Sequence, residues 1–324
     1  RVDDLGGGLW RRAVYELERD WPPACAPFER PKYRATLRSG RKVLWKFGGL
    51  AGAPGTSMSS AEAEAETLNE RAAAGWGPAA LGVAHGFVAM PWLAGTPLSH
   101  ADVTPELLSH IGRYIAAVSG PPLSHAEQNE ALNRAGEMLY WNVWEALSEE
   151  RAERTRPLFD AAQNAAQGHA FRSYGDGHLA PHEWLQHNLD LSDEPQRTPR
   201  SQRKSTAIFE SSGAYKYQKL DGTGHVIDHT AVGRQPVAWD IAGAMVEWRL
   251  DDAQQIQLLD AYHAAGGEPF PAPLLTFYRL AYAAFRLGQT SMCAQMSNDE
   301  AEQARLWQAA ERYKNALNSA DPHE

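Results

Sequence analysis

The chain has 324 residues, is 43% hydrophobic and carries a formal net charge of -9. That much apolar material exceeds what one compact core takes, so two lobes are expected, and the acidic balance opposes a nucleic-acid backbone or an anionic membrane surface as the main partner. No run approaches the roughly 20 apolar residues that cross a bilayer, and the first residues lack a charged-then-apolar signal layout. The two cysteines, Cys25 and Cys293, stand 268 positions apart (293 − 25 = 268) and in no C-x-x-C pattern. A disulfide framework and a zinc site are thereby disfavoured, and a reducing, cytoplasmic setting is expected.

Taken in chain order, Gly6-Gly7-Gly8 reads as a flexible start, with an anion-binding turn as the alternative. Tyr33–Arg38 and Lys42–Phe47 then read as a hairpin turning at Ser39 and Gly40. A Gly/Ala/Ser/Pro run over 48–60 leads to a helix predicted over Ala61–Ala74, capped by Ser59 or Ser60 and ended by Gly75 and Gly77. Short strands are predicted at Ala80–Val83 and Phe87–Met90, before a loop over Ala94–Pro97. From Thr104-Pro105 the period changes to that of a helix, with Leu107, Leu108, Ile111, Tyr114, Ile115 and Val118 on one face.

Further helices are predicted at Glu127–Trp144, Ser148–Gln167, Asp251–Ala265, Pro273–Leu287 and Asp299–Ser319. The polar, basic stretch at about 191–206 reads as a mobile surface insertion. Helical spacing assigns Trp141, Trp144, Trp248, Tyr262, Phe277, Tyr278, Tyr282 and Phe285 mostly to core. The fold class expected is α+β: a small, mainly β N-terminal lobe over 1–93 and a larger helical C-terminal lobe over 94–324.

Several residues stand out chemically. Strand alternation puts Lys46 with Leu44 on one face of Val43–Phe47, where its ammonium can reach phosphate oxygens; a solvated edge-strand lysine is the plainer reading. Glu62, Glu64 and Glu66 follow on the predicted helix, and Glu64, four before Leu68, shares the face that Leu68 should bury. Asp176 lies between glycines in Tyr174-Gly175-Asp176-Gly177-His178, a tight loop suited to placing a base beside a substrate hydroxyl. Downstream come Val226-Ile227-Asp228 and, twelve positions later (240 − 228 = 12), Trp239-Asp240-Ile241-Ala242.

These segments, in this order, resemble the aminoglycoside phosphotransferase and choline-kinase-like superfamily, whose loop reads H-G-D-x-H-x-x-N. The resemblance implies Asp176 as the catalytic aspartate, Asp228 as a Mg²⁺ ligand and Asp240 as the brace of the catalytic loop. It also implies Lys46 gripping the phosphates with Glu64 as its partner, and Met90, Pro91, Trp92 and Leu93 as the hinge receiving adenine. Three departures mark the loop, and one is that the stretch from Asp176 to Leu185 is two residues longer than the usual one. Tyr174 replaces the family histidine, and the metal-binding asparagine is missing; alignment from the loop end puts Glu183 in its place, with His182 as fallback. Asp221 competes with Asp228.

No G-x-G-x-x-G precedes the hairpin, so a phosphate cover belongs by position around Pro27–Arg30. His178, His182, His187, His225 and His229 match no usual zinc spacing. The resemblance implies an ATP- and Mg²⁺-dependent kinase acting on a hydroxyl of a small molecule, with no nucleic-acid or membrane partner. From Ala231 onward twelve acidic residues face seven basic ones, which favours a cationic acceptor mildly. The altered loop keeps a second reading, a pseudokinase that binds nucleotide or a partner without turnover.

Overall fold

A computed structural model describes residues 1–52, 59–186, 216–220 and 232–319. The chain divides into two compact units that are discontinuous in sequence. The first takes Arg1–Gly6, Arg30–Leu98 and His182–Thr223; the second takes Gly7–Glu29, Ser99–Pro181 and Gly224–Glu324.

In the first unit, strands β1 (Val2–Asp4), β2 (Lys32–Thr36), β3 (Lys42–Phe47), β4 (Gly82–Ala84) and β5 (Phe87–Pro91) form an antiparallel sheet in the order β1-β2-β3-β5-β4. Gly40, at φ 83°, makes the β2–β3 turn where the sequence placed it. Strand β1 was not anticipated, since three residues carry too little alternation to read. Helix α1 (Ser60–Ala73) lies on one face of this sheet, with Ala61, Ala65 and Leu68 packed against Val88, Met90 and Leu44. Burying Leu68 contributes roughly 1.5–3 kcal/mol.

A second sheet, β6 (Thr96–Pro97), β7 (Trp184–Gln186) and β8 (Tyr217–Lys219), also belongs to this unit and is antiparallel throughout. Thr96 and Pro97, read from sequence as loop, pair with Gln186 and Leu185. Gly95 permits this approach, because a Cβ there would meet the Gln186 carbonyl at 3.0 Å.

The second unit is helical: α2 (Pro105–Val118), α3 (His125–Ala146), α4 (Glu149–Ala166), α5 (Ala238–Glu247), α6 (Asp252–Ala264), α7 (Ala272–Met296) and α8 (Glu300–Ser319). The Ser59 side chain caps α1, one of the two serines the sequence offered, and Thr104 caps α2 at the predicted helix start. Helix α7 is the central element, packing against α3, α4, α5 and α8, and it runs two turns beyond its predicted end. Its buried residues Phe277, Tyr278, Tyr282 and Leu287 join Leu132, Leu139, Trp239 and Tyr313 in one core.

Two aromatic assignments need correction. Trp141 and Trp144 on α3 are exposed, at 59% and 46%, because α3 turns Leu132, Ala135, Leu139 and Val143 inward and Trp141 lies about 200° round from Leu139. Among the described residues no helix is long and apolar enough to cross a membrane. The stretch at about 191–206 and residues His187, Asp221, His225, Asp228 and His229 lie outside the described residues.

Candidate active site

Within the first unit, one face of β3 and β5 carries Leu44, Lys46, Val88 and Met90, with Lys46 opposite Val88 in the register. Lys46 is buried on this face, and its Nζ lies 3.7 Å from Oε1 of Glu64, also buried. The three glutamates of α1 are thereby separated. Glu62 closes a capping box with Ser59, Glu66 is exposed, and Glu64 faces the sheet.

The approach depends on Gly48, where a Cβ would come within 2.8 Å of the Ala61 Cα and 2.9 Å of the Glu64 carboxylate. The other oxygen of Glu64 accepts from Arg30 Nη1 at 3.1 Å. Arg30 was not anticipated as a partner; the sequence placed it only, by position, in the loop around Pro27–Arg30. One carboxylate thus answers two cations.

At the end of β5 the Trp92 N–H donates to the Lys42 carbonyl at 3.1 Å, which makes 42/92 a hydrogen-bonded pair of the ladder. By antiparallel alternation 43/91 is a non-bonded pair, so Pro91 sacrifices no ladder donor and its carbonyl is directed away from β3. Met90 is buried, and the Arg34 guanidinium lies 5.0 Å from the Trp92 ring centre.

Also in the first unit, Glu183 ends the 3₁₀ turn Pro181–Glu183 and leads into β7. Its Oε2 lies 2.7 Å from Nζ of Lys219 on β8, and both side chains are buried. That ammonium engages one of the two Glu183 oxygens, so the pair with Lys219 competes for the carboxylate with the metal role read from the loop alignment. His182, the fallback, is half-buried on the same turn. Among the described residues no group of three or more His, Cys, Asp or Glu is arranged to hold a metal ion.

Within the second unit, Asp176 is fully buried. Its Oδ2 accepts a short hydrogen bond from the Tyr114 hydroxyl and its Oδ1 accepts from the His178 N–H at 3.2 Å. The turn around it is built on Asp240, whose Oδ2 accepts from the Gly175 and Asp176 N–H groups at 3.0 and 3.1 Å and whose Oδ1 accepts from Gly177 at 2.8 Å. This is the brace that the resemblance implied for Asp240.

Glycine is required at 175 because a Cβ there would meet the Val118 carbonyl at 1.9 Å, and at 177 because the backbone turns at φ 85°. Two indoles close the loop from outside: Trp239 Nε1 donates to the Gly177 carbonyl at 3.3 Å, and Trp248 Nε1 to that of Leu179 at 2.9 Å. Burial, then the nearby Asp176 charge, push the Asp240 carboxyl up to about 6, against the three N–H donors that favour its ionised form.

Tyr174, standing where the family has histidine, is a core residue whose N–H bonds the Gln235 carbonyl at 2.9 Å and whose hydroxyl reaches Gly233. His178 Nε2 lies 3.7 Å from Glu247, which also receives Arg286 at 3.1 Å and the hydroxyls of Tyr282 and Tyr313 at 2.9 and 3.0 Å. Burial raises the Glu247 carboxyl, but the Arg286 and His178 charges and the two hydroxyls hold it net below its ordinary value. Tyr114 was read only as part of an apolar helix face, because spacing places a ring and says nothing of where its hydroxyl goes.

No family model and no curated protein matches the chain. Solved structures do. Choline kinase LicA from Streptococcus pneumoniae is 12% identical, with 89% of each chain covered and a TM-score of 0.53. The macrolide 2'-phosphotransferase MphH from Brachybacterium faecium, solved as apoenzyme, is 17% identical over 91% of this chain and 90% of that one, with a TM-score of 0.50. A spectinomycin phosphotransferase in complex with ADP and spectinomycin is 10% identical over 90% and 88%, with a TM-score of 0.50. At such identities the likeness shows the fold: this chain has the α+β, protein-kinase-like fold on which small-molecule kinases of these kinds are built.

Proposed function

We propose that the chain is an ATP- and Mg²⁺-dependent phosphotransferase acting on a hydroxyl of a small molecule. The observation that carries this reading is the mould around Asp176: three consecutive N–H groups held on the Asp240 carboxylate. Burying two carboxylates in one turn is costly for a merely structural loop, and it suits a base that must be held in one orientation. Asp176 takes the acceptor hydroxyl, exchanging its bond with Tyr114 for one with the substrate. The solved neighbours that act on choline, macrolides and spectinomycin support an acceptor of small-molecule size.

Lys46 supplies positive charge to the phosphates, and Glu64 keeps its ammonium extended. The Pro91 carbonyl, with the backbone of Met90, Trp92 and Leu93, receives the adenine edge, and the ADP bound in the spectinomycin phosphotransferase supports a nucleotide for this fold. Asp228 is the residue proposed to hold Mg²⁺, whose charge would neutralise the phosphates. Glu183 is assigned to its pair with Lys219 rather than to the metal. The acidic excess after Ala231 favours an amine-bearing acceptor.

The test is ADP formation from ATP over a panel of amino alcohols, aminoglycosides, macrolides and neutral sugars, each with and without Mg²⁺, alongside calorimetric ATP binding. Acceptor-dependent ADP release that needs Mg²⁺ is the expected result. Nucleotide binding with no turnover on any acceptor would overturn transfer in favour of a binding module, and no nucleotide binding would overturn both.

A further inference from the structure

Cys25 and Cys293, remote in sequence, meet in the second unit. Cys293 is buried on α7 with Ala294 and with Leu306 of α8, and Cys25 and Phe28 pack onto this cluster from the N-terminal segment. Both are free thiols, Cys293 fully buried and Cys25 half-buried. The segment is pinned there by ion pairs and not only by apolar contact. The Ala24 N–H donates to Glu302 at 2.7 Å, and Arg11 Nη1 lies 2.7 Å from the other oxygen of the same carboxylate, both side chains buried.

We propose that Cys25 and Cys293 are a redox-active dithiol, closed reversibly by exchange with a small-molecule disulfide, that staples the segment Gly7–Glu29 to helix α7. The two thiols differ in the way such a pair needs. A hydrogen bond from Cys293 holds the Cys25 thiol below its ordinary range, outweighing burial and the nearby Glu29 and Glu302 charges, with Arg286 adding its positive charge. That same bond and its own burial push the Cys293 thiol up. Cys25 is therefore the thiolate that attacks, and it is the one solvent reaches.

Its sulfur forms a bond to one sulfur of the small disulfide, the S–S bond of the reagent breaks, and one small thiolate leaves. Cys293 then gives up its proton and attacks Cys25 Sγ, expelling the second small thiolate. The protein loses two protons and two electrons, and the reagent is reduced by two electrons to two thiols. Arg286, which lies two turns before Cys293 on α7, also pairs with Glu247, so the dithiol borders the buried charges that face His178. The proposal does not rest on the phosphotransferase reading.

The test uses the reduced full chain, equilibrated with stepped ratios of reduced to oxidised glutathione, quenched in acid, alkylated and weighed intact. The expected result is one transition in which both alkylation sites disappear together with the mass of two hydrogens, the chain stays single, and a dithiol reductant reverses it. Cys293→Ser should stop at a glutathione adduct on Cys25, and Cys25→Ser should leave Cys293 without an adduct in the folded protein. In the wild-type chain, which needs no variant to fold, three outcomes would each overturn the proposal. They are a terminal glutathione adduct, disulfide-linked dimers, or two thiols that stay alkylatable across the whole range.

Discussion

Glu64 answers two cations with one carboxylate, whereas Asp240 answers three backbone N–H groups with both of its oxygens. Both carboxylates are buried, yet they are held by different means. The Glu64 cluster is an arrangement of side-chain charges on a sheet and a helix that exist without it, so removing a member shifts a charge balance. The Asp240 cluster shapes a loop that has no regular ladder of its own, so removing the carboxylate removes the loop's conformation. Function can be lost from the first through Lys46 with little loss of structure, whereas loss of the Asp240 carboxylate removes structure and function together.

Asp176→Asn separates chemistry from shape most sharply, since the amide oxygen can still accept from the His178 N–H while its NH2 donates to a reoriented Tyr114 hydroxyl. Turnover should fall by about 10²- to 10⁴-fold while ATP affinity and melting temperature hold. Single-turnover rates beside calorimetry check this, and an unchanged rate would remove Asp176 from the chemistry. Asp240→Ala removes the acceptor of three N–H groups, two of them buried, at about 1–3 kcal/mol for each buried one, so melting temperature and activity should drop together in a thermal scan and a rate assay. A variant that is inactive but fully stable would contradict the mould.

In the charge cluster the two partners are unequal. Glu64→Ala leaves Lys46 and Arg30 facing a neutral gap and should cost about 3–5 kcal/mol by denaturant titration. Lys46→Ala leaves Glu64 still paired with Arg30, so it should cost less stability while weakening ATP binding. The reverse ranking would mean that Arg30 does not share the carboxylate. Glu183→Gln should destabilise by removing the carboxylate charge beside the buried Lys219 ammonium, without changing the Mg²⁺ dependence of nucleotide binding. A loss of that dependence would restore Glu183 as a metal ligand.

The smallest effect is a pH slope. An aspartate raised to about 6 in the fold and near 3.9 when unfolded binds its proton more readily in the native state. Its contribution is therefore fully present below about 3.9 and lost as pH rises through about 6. The stability difference between wild type and Asp240→Asn should shift against the wild type from pH 4 to pH 6.5 in urea titrations, and a flat difference would mean that the N–H donors fully offset burial.

The sequence by itself determined the β2–β3 hairpin, most of the helices and the glycine-flanked turn at Asp176, because hydrophobic period, capping chemistry and turn residues are local properties; the roles of Asp176 and Asp240 came from the resemblance. Helical phase singled out Glu64 among three glutamates as the partner of Lys46, which is again local. Only the tertiary structure decided that Lys219 meets Glu183, that the Tyr114 hydroxyl reaches Asp176, that Arg30 shares Glu64, and that Cys25 packs against Cys293. Only it decided, too, that Trp141 and Trp144 face solvent and that Thr96–Pro97 is a strand. Each of these depends on which long-range surface is brought against which residue, and periodicity along one element carries no term for its neighbour's side chains.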